Sequence, residues 1–221
     1  MNSRGDFPPI IFKNRIYYNP ELRAVNYMVP AVTVLVLLLI TTMLTALSIV
    51  KEKELGTIEQ IMVTPVKPWE FIFGKLLPFP FIGILDVVLV IFIGVWWFAI
   101  PIKGSIVLLF ACALLFLMTT LGMGLFISTI SGTQQQAMLS TIFFLIPNIL
   151  LSGFIFPIAN MPKTLQLLTF LVPGRYFIEI IRGIYLKGLG INYLYPQMSA
   201  LAIIGLFILG FAIKNFRKQL V

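Results

Sequence analysis

Apolar residues dominate the chain in long runs that polar and charged residues interrupt only briefly. Five of these runs reach or approach the ~20 residues that a helix needs to cross a ~30 Å hydrocarbon core. They cover residues about 29–50, 79–100, 105–130, 137–157 and 197–213. The pattern predicts an all-α polytopic membrane protein with five transmembrane helices.

The segment between the fourth and fifth runs, residues 158–196, is apolar but is interrupted by prolines and glycines and carries charges. An unbroken span does not fit it, so we predict two short amphipathic helices that lie in the interface or re-enter the membrane. In the second of these, Arg175, Glu179 and Arg182 follow one another at i, i+4 and i+7, which makes one charged stripe. We interpret the stripe as a solvated face held by exposed ion pairs rather than as a substrate site.

The composition agrees with a membrane protein and narrows the chemistry. Only 11% of the 221 residues are charged, whereas a soluble domain carries about 25%. The 16 basic and 8 acidic residues point to anionic lipid head groups in the bilayer and not to nucleic acid. Histidine is absent and Cys112 is the single cysteine, which excludes a disulfide framework and leaves no His/Cys metal cluster and no catalytic Ser-His or Cys-His pair.

The longest polar stretch lies between the first two runs and reads IVKEKELGTIEQIMVTPVKPWEFIFGKLL, with eight charged residues. Gly56 is expected to end the first helix, and Thr57 with Gln60 fits a capping box that starts a new one. Pro65 stops that helix about two turns later, and Pro68 suits the first turn of the next. We therefore predict a short helix that projects from the membrane between two spans, with a plain amphipathic linker as the alternative.

Five segments occur along the chain in a fixed order: YYNPELRAVNYMVP, the polar stretch quoted above, SGTQQQAM, LLSGFIFPIANMP and YFIEIIRGIYLKG. Together they resemble the ABC-2-type permeases, the membrane subunits of ATP-driven exporters. The resemblance extends over residues from about 15 to 218. It implies that the loop 51–75 and the C-terminal tail face the cytoplasm and that 158–196 lies outside, whereas counting Lys and Arg, seven on one side and nine on the other, leaves the orientation open.

The resemblance also implies that the short helix of residues 57–64 is a coupling helix that docks on a separate ATPase subunit. The chain has no G-x-x-x-x-G-K-[ST] phosphate-binding loop, so ATP hydrolysis is expected to lie in that partner and no cofactor is expected on this chain. Both acidic and apolar residues are candidates for the contact. They are Glu52, Glu54, Thr57, Ile58, Glu59, Ile61 and Met62.

Members of this family usually begin with a further span and a large extracytoplasmic domain. We therefore expect residues 1–28 to be the end of a truncated extracytoplasmic domain and 29–221 to be the ABC-2-type transmembrane domain. The resemblance implies a multi-pass protein of the cell inner (cytoplasmic) membrane that works as a homodimer or beside a related second permease. Its expected substrates are hydrophobic or amphipathic, such as drugs, lipids or lipid-linked glycans.

Small polar residues inside the spans are candidates for the translocation pathway. They are Thr41, Thr45 and Ser48, spaced i, i+4 and i+7 on the first helix, and Asn148 and Ser152 on the fourth, just after Pro147. For the first helix, close helix packing is an equal alternative. The ladder of small residues Thr120, Gly124 and Ser128 on the third helix favours packing alone.

Asp86 is the only acidic residue within a predicted span. A charge at that depth costs about 2.5–3.5 kcal/mol on insertion scales, so we expect a structural hydrogen bond from Asp86 to a neighbouring helix. An ion-coupled secondary transporter that uses Asp86 is the alternative function, although we find no internal repeat of the kind that such transporters carry. An intramembrane enzyme is disfavoured by the absence of histidine and of clustered carboxylates, and an inactive fragment of a permease is a further alternative.

Overall fold

The computed structural model describes residues 24–57 and 68–219, and within these ranges the backbone forms eight α-helices and no strand. A 3-10 turn at Ile158–Asn160 precedes α6, and a π-helical stretch, Gly183–Lys187, extends α7. The all-α fold is therefore confirmed. The helices are α1 (Ala24–Glu54), α2 (Pro68–Leu76), α3 (Pro78–Trp96), α4 (Ile106–Ile130), α5 (Gln134–Leu151), α6 (Lys163–Thr169), α7 (Pro173–Arg182) and α8 (Ile191–Gln219).

Four helical stretches among the described residues are long and apolar enough to cross a membrane: Val25–Glu54, Phe73–Trp96, Ile106–Ile130 and Ile191–Phe216. The pair α6 and α7 passes the same test only as a unit bent by 84°, which is a broken span or a re-entrant loop. Helix α5, the predicted fourth span, has 18 residues and begins with three glutamines. The chain is thus a multi-pass membrane protein, and the count of five spans stays a prediction.

Several helix ends fall where local sequence signals placed them. Helix α1 ends at Glu54, and Gly56 follows with a φ of +72°, a conformation that glycine adopts without a steric penalty. Helix α2 begins at Pro68, as predicted. Helix α4, the third predicted span, begins at Ile106. The hydroxyl of Ser105 caps it by accepting a hydrogen bond from the amide of Leu108.

Other boundaries differ from the sequence prediction. Helix α5 ends at Leu151 and not at 157, because Gly153 takes a φ of +79° and turns the chain. Helix α3 ends at Trp96, four residues before the predicted end of its span at residue 100. Helix α8 begins at Ile191 and includes Pro196, because a proline close to a helix start removes only one backbone hydrogen bond. The helix is therefore longer than the predicted fifth span at both ends.

Helix α4 is the centre of the bundle and packs most extensively against α8 and α1. Small residues permit this close approach. A Cβ atom built on Gly124 would lie 2.6 Å from the Cβ of Thr45 and 2.7 Å from the carbonyl oxygen of Thr42 on α1, and one on Gly122 would lie 2.9 Å from the amide nitrogen of Leu209 on α8. The packing interpretation of the small-residue ladder on α4 is therefore confirmed.

Helix α7 is part of the core and does not lie on its surface. Its apolar face is buried against α1, α4 and α8. Phe177 is fully buried and stacks on Phe116 of α4 with ring centroids 4.5 Å apart. The segment predicted as interfacial thus folds back into the helix bundle through its second helix.

We predict that Gly124→Ala destabilises the protein, because the added methyl group overlaps the backbone and the Cβ of α1. Overpacking of this kind costs about 1–3 kcal/mol. The measurement is thermal unfolding of the purified chain in detergent. Gly210→Ala is the matched control, since a Cβ at Gly210 meets no atom within 4 Å. Equal melting temperatures for the two variants would contradict the close packing of α1 on α4.

Candidate functional site

The last turn of α1 carries charged side chains that are tied to other parts of the chain. Glu52 accepts a hydrogen bond from the ammonium group of Lys75 on α2, with Nζ and Oε1 2.6 Å apart. The hydroxyl of Thr57 donates to the carboxylate of Glu52 and, at 3.0 Å, to the carbonyl oxygen of the same residue. The two ends of the polar stretch, before and after residues 58–67, are therefore fastened to each other.

The same turn of α1 also forms hydrogen bonds with the loop between α4 and α5 and with the start of α5. The ammonium group of Lys53 donates to the carbonyl oxygen of Ser131 at 3.1 Å. The side-chain amide of Gln134 donates to the carboxylate of Glu54 at 2.8 Å. We call this set of contacts the α1 junction: Glu52, Lys53 and Glu54 with their partners Lys75, Ser131 and Gln134.

Apolar side chains support the α1 junction on two sides. On one side, Ala46 and Val50 of α1 are buried with residues at the end of α4 and the start of α5. On the other side, Ile49 is buried with residues of α2, α3, α4 and α8, among them Leu76 and Phe216. The charged turn therefore rests on packed apolar side chains from five other helices.

Sequence reasoning identified only part of this junction. Glu52, Glu54 and Thr57 are predicted as contacts to the ATPase; in the structure they form hydrogen bonds within the chain, and their contact with the ATPase stays a prediction. The sequence analysis did not single out the other members, Lys53, Lys75, Ser131 and Gln134. The signal that could have identified them is the pair of polar segments KEKE and SGTQQQ, which lie at the ends of neighbouring apolar runs. The predicted contacts Ile58, Glu59, Ile61 and Met62, and Gln60 of the predicted capping box, lie outside the described residues.

Two of the three candidate pathway residues on α1, Thr41 and Thr45, lie at its interface with α4. Thr41 is fully buried, and its hydroxyl donates to the carbonyl oxygen of Leu37 at 2.6 Å and lies 2.8 Å from the hydroxyl of Thr120. Thr45 is equally buried against Gly124, and Ser48 is half-buried. In this arrangement Thr41 and Thr45 make interhelical contacts, and their role in a pathway stays a prediction.

The two candidate pathway residues on α5 line separate cavities. Asn148 contributes to an apolar cavity of about 410 Å³ between α4, α5, α7 and α8, which Pro147 also lines. Ser152 contributes to a second cavity of about 580 Å³. Gly174, at the start of α7, lies between the two residues: a Cβ there would be 3.2 Å from Oδ1 of Asn148 and 3.4 Å from the Cβ of Ser152.

The second cavity is bounded by the end of α5 and the turn after it, by α7 and by the start of α8. We call it the arginine cavity, because Arg175 and Arg182 both line it. The guanidinium of Arg182 stacks on the ring of Tyr27 at 3.4 Å, and that of Arg175 stacks on Phe170 at 4.0 Å. The interpretation of the charged stripe on α7 as a solvated face of ion pairs is therefore wrong, because aromatic stacking and burial hold these two side chains.

Asp86 lies on α3 and is half-buried. Its Oδ2 atom is covered by protein and has no hydrogen-bond partner among the described residues. The hydrogen bond to a neighbouring helix that we expected for this oxygen is therefore not formed. No group of three or more His, Cys, Asp or Glu in the described ranges could hold a metal ion.

Comparison of the sequence with profiles of known protein families identifies the family of this chain. The profile of the ABC-2 type transporter family matches residues 10–186, a range that includes the α1 junction and both cavity-lining residues of α5. The chain belongs to the ABC-2 type transporter family.

Relatives within this family include bacterial permeases. The chain is 34% identical over 190 residues to the probable multidrug ABC transporter permease YbhR of Escherichia coli (strain K12), which covers 86% of this chain and 52% of the relative. It is 35% identical over 209 residues to the probable multidrug ABC transporter permease YbhS of the same strain, covering 90% of this chain and 55% of the relative.

The inner membrane transport permease YhhJ of Escherichia coli (strain K12) is 28% identical over 217 residues, which is 96% of this chain and 57% of the relative. The chain thus spans about half the length of the curated relatives it matches. No solved structure matches the chain.

Proposed function

We propose that this chain is the permease subunit of an ABC-type export complex of the cell inner membrane. It moves a hydrophobic or amphipathic substrate, such as a drug, a lipid or a lipid-linked glycan, outward with energy from ATP that a separate subunit hydrolyses. The α1 junction carries this proposal, because it fastens both ends of a cytoplasm-facing polar loop to the helices around it. Two relatives named as multidrug ABC transporter permeases support the substrate class.

The proposed coupling runs from the loop into the membrane through contacts of the α1 junction. Closure of the ATPase subunits pushes the loop 51–75, and the Glu52–Lys75 pair passes the displacement to α1 and α2 together. Lys53 and Glu54 then move the α4–α5 loop. Helix α5 follows, with Asn148 and Ser152. Such a stroke biases a two-state equilibrium between inward- and outward-facing arrangements.

In this proposal the active unit is a homodimer, or a pair with a related second permease, clamped by two ATPase subunits. ATP acts through the partner, and this chain binds no cofactor. The pathway follows the small polar residues Thr41, Thr45, Ser48, Asn148 and Ser152. Residues 158–196 then face outward, which puts the arginine cavity on the outer side.

A second candidate function is ion-coupled secondary transport through Asp86. The observation that favours it is the Oδ2 atom of Asp86 on α3, which is covered by protein and has no hydrogen-bond partner among the described residues. An ionisable residue within the membrane is by default a candidate for function. The sequence has no histidine and no second acidic residue within a predicted span, and this favours the first proposal.

We predict that Glu59→Lys uncouples ATP hydrolysis from export, because it places a like charge where the ATPase is proposed to present basic groups. The measurements are copurification with the ATPase, ATPase rate and export of a fluorescent amphiphile from proteoliposomes. Association should fall about tenfold or more, a loss of at least ~1.4 kcal/mol, while membrane insertion stays normal. Glu21→Lys, the same charge reversal in the tail predicted to lie outside, is the control. Wild-type values for Glu59→Lys in all three measurements would reduce the loop to a linker.

We predict that Asp86→Asn keeps transport within about twofold of wild type, because no described residue donates a hydrogen bond to the covered Oδ2 atom and the proposed export is driven by ATP and not by a proton on Asp86. Export is measured with ATP in the presence and absence of a proton gradient. Loss of export together with loss of any dependence on the gradient would support ion coupling and contradict the ATP-driven proposal.

A further inference from the structure

We propose that the arginine cavity binds the phosphate of a phospholipid head group. The inference rests on the side chains that line the cavity and does not depend on the exporter proposal. The cavity has a volume of about 580 Å³ and is lined by Tyr27 of α1, by residues of α7 and α8, and by residues of the segments that follow α5 and α7.

The charges around the cavity favour an anion. Three basic residues line it, Arg175, Arg182 and Lys187, against one acidic residue, Glu179. Glu179 is exposed, so water screens its carboxylate more than it screens the arginines, which are only partly accessible. The net positive field at the cavity attracts phosphate and repels cations.

Arg182 is held in place and still has a donor to spare. Its Nε donates to the carbonyl oxygen of Tyr27 at 3.3 Å, and its Nη1 donates to that of Gly153 at 3.0 Å. The ring of Tyr27 supports the guanidinium plane from one side. Its Nη2 is covered by protein and has no partner within the part of the chain that the structure describes. A planar guanidinium fixed in this way is suited to a phosphate oxygen.

Arg175 repeats this arrangement on the preceding turns of α7. Its Nη1 donates to the hydroxyl of Thr169, and the ring of Phe170 supports its plane. Its Nε is likewise covered and lacks a partner among the described residues. Two guanidinium groups on one cavity are therefore each anchored and each left with one unsatisfied donor.

A third unsatisfied group lies on the same cavity. Ser152 is 2% exposed, and its hydroxyl has no hydrogen-bond partner in the ranges 24–57 and 68–219. A buried donor without a partner costs free energy, and three such donors at one cavity are satisfied together by a group that carries several acceptor oxygens. Phosphate is such a group. Because the donors are covered in this structure, binding has to include a small side-chain rotation that uncovers them.

The remaining wall of the cavity explains why the ligand is an amphiphile and not free phosphate. Apolar side chains from α7 and the start of α8 line it, including Ile178, Leu186, Leu189 and Leu194. Free phosphate gains nothing from this surface, whereas the glycerol and first methylene groups of a phospholipid bury it.

The test measures binding of short-chain phosphatidylglycerol to the purified 221-residue chain in neutral detergent, by native mass spectrometry. Arg175→Gln/Arg182→Gln should weaken binding about tenfold or more, since it removes two charge-assisted contacts. The control is Lys103→Gln/Lys163→Gln, which removes the same charge from exposed residues that do not line the cavity. The control should stay within about twofold of wild type, because neither side chain lines the cavity and exposed charges are screened by salt.

Two further arms separate the possible ligands. Diacylglycerol, which has the same apolar part without phosphate, should not bind measurably, and inorganic phosphate at the same concentration should not displace the lipid. Equal binding of diacylglycerol, or displacement by inorganic phosphate alone, would overturn the assignment to a phospholipid head group.

A last variant keeps the inference testable if the arginine variant does not fold. Ser152→Ala removes an unsatisfied hydroxyl, so the melting temperature should not fall, while phosphatidylglycerol binding should weaken several-fold. Wild-type binding by Ser152→Ala, or by a folded arginine double variant, would contradict the proposal.

Discussion

Charged side chains cannot be left in the hydrocarbon without a large penalty, about 2.5–3.5 kcal/mol each on insertion scales. The four consecutive charges at the end of α1, Lys51 to Glu54, therefore fix how deep this helix can lie. Three of them have partners at the α1 junction, on α2 and on the α4–α5 loop. The depth and the rotation of α1 follow from these contacts, and the register of its packing on α4 follows in turn.

That register brings together the residues that permit close packing. Thr45 lies against Gly124 about two turns before the charged end of α1. Thr41 contacts Thr120 one turn farther from that end. Apolar attraction between helices is weak when lipid tails are as apolar as the side chains, so small residues and interhelical hydrogen bonds hold the bundle.

The sequence predicts the parts of this fold that local physics controls. Long apolar runs became helices, Gly56 ended α1, and Pro68 began α2. Residue pairs distant in the chain could not be predicted in this way. The contacts of Lys53 with Ser131 and of Arg182 with Tyr27 join residues 78 and 155 positions apart. No local spacing encodes such contacts, which is why the arginines on α7 were interpreted as solvated.

The candidate pathway residues also show that local spacing predicts a helix face but not what that face contacts. Spacing alone placed Thr41, Thr45 and Ser48 on one face of a helix. Thr41 and Thr45 do lie at the interface with α4, but spacing cannot say whether a helix face meets a cavity or a neighbouring helix. Asn148 on α5 and Ser152 just after it do line cavities. The α1 junction also contacts helix α5 directly, through Gln134.

The most direct test of transmission through the α1 junction is a charge exchange between Glu52 and Lys75. Glu52→Lys, reconstituted with the ATPase in proteoliposomes, should export a fluorescent amphiphile several-fold more slowly per ATP hydrolysed. Glu52→Lys/Lys75→Glu should restore at least about half of the wild-type ratio, because the pair forms again with reversed sign. A wild-type ratio in the single variant, or no recovery in a double variant that folds and binds the ATPase, would contradict this role of the junction.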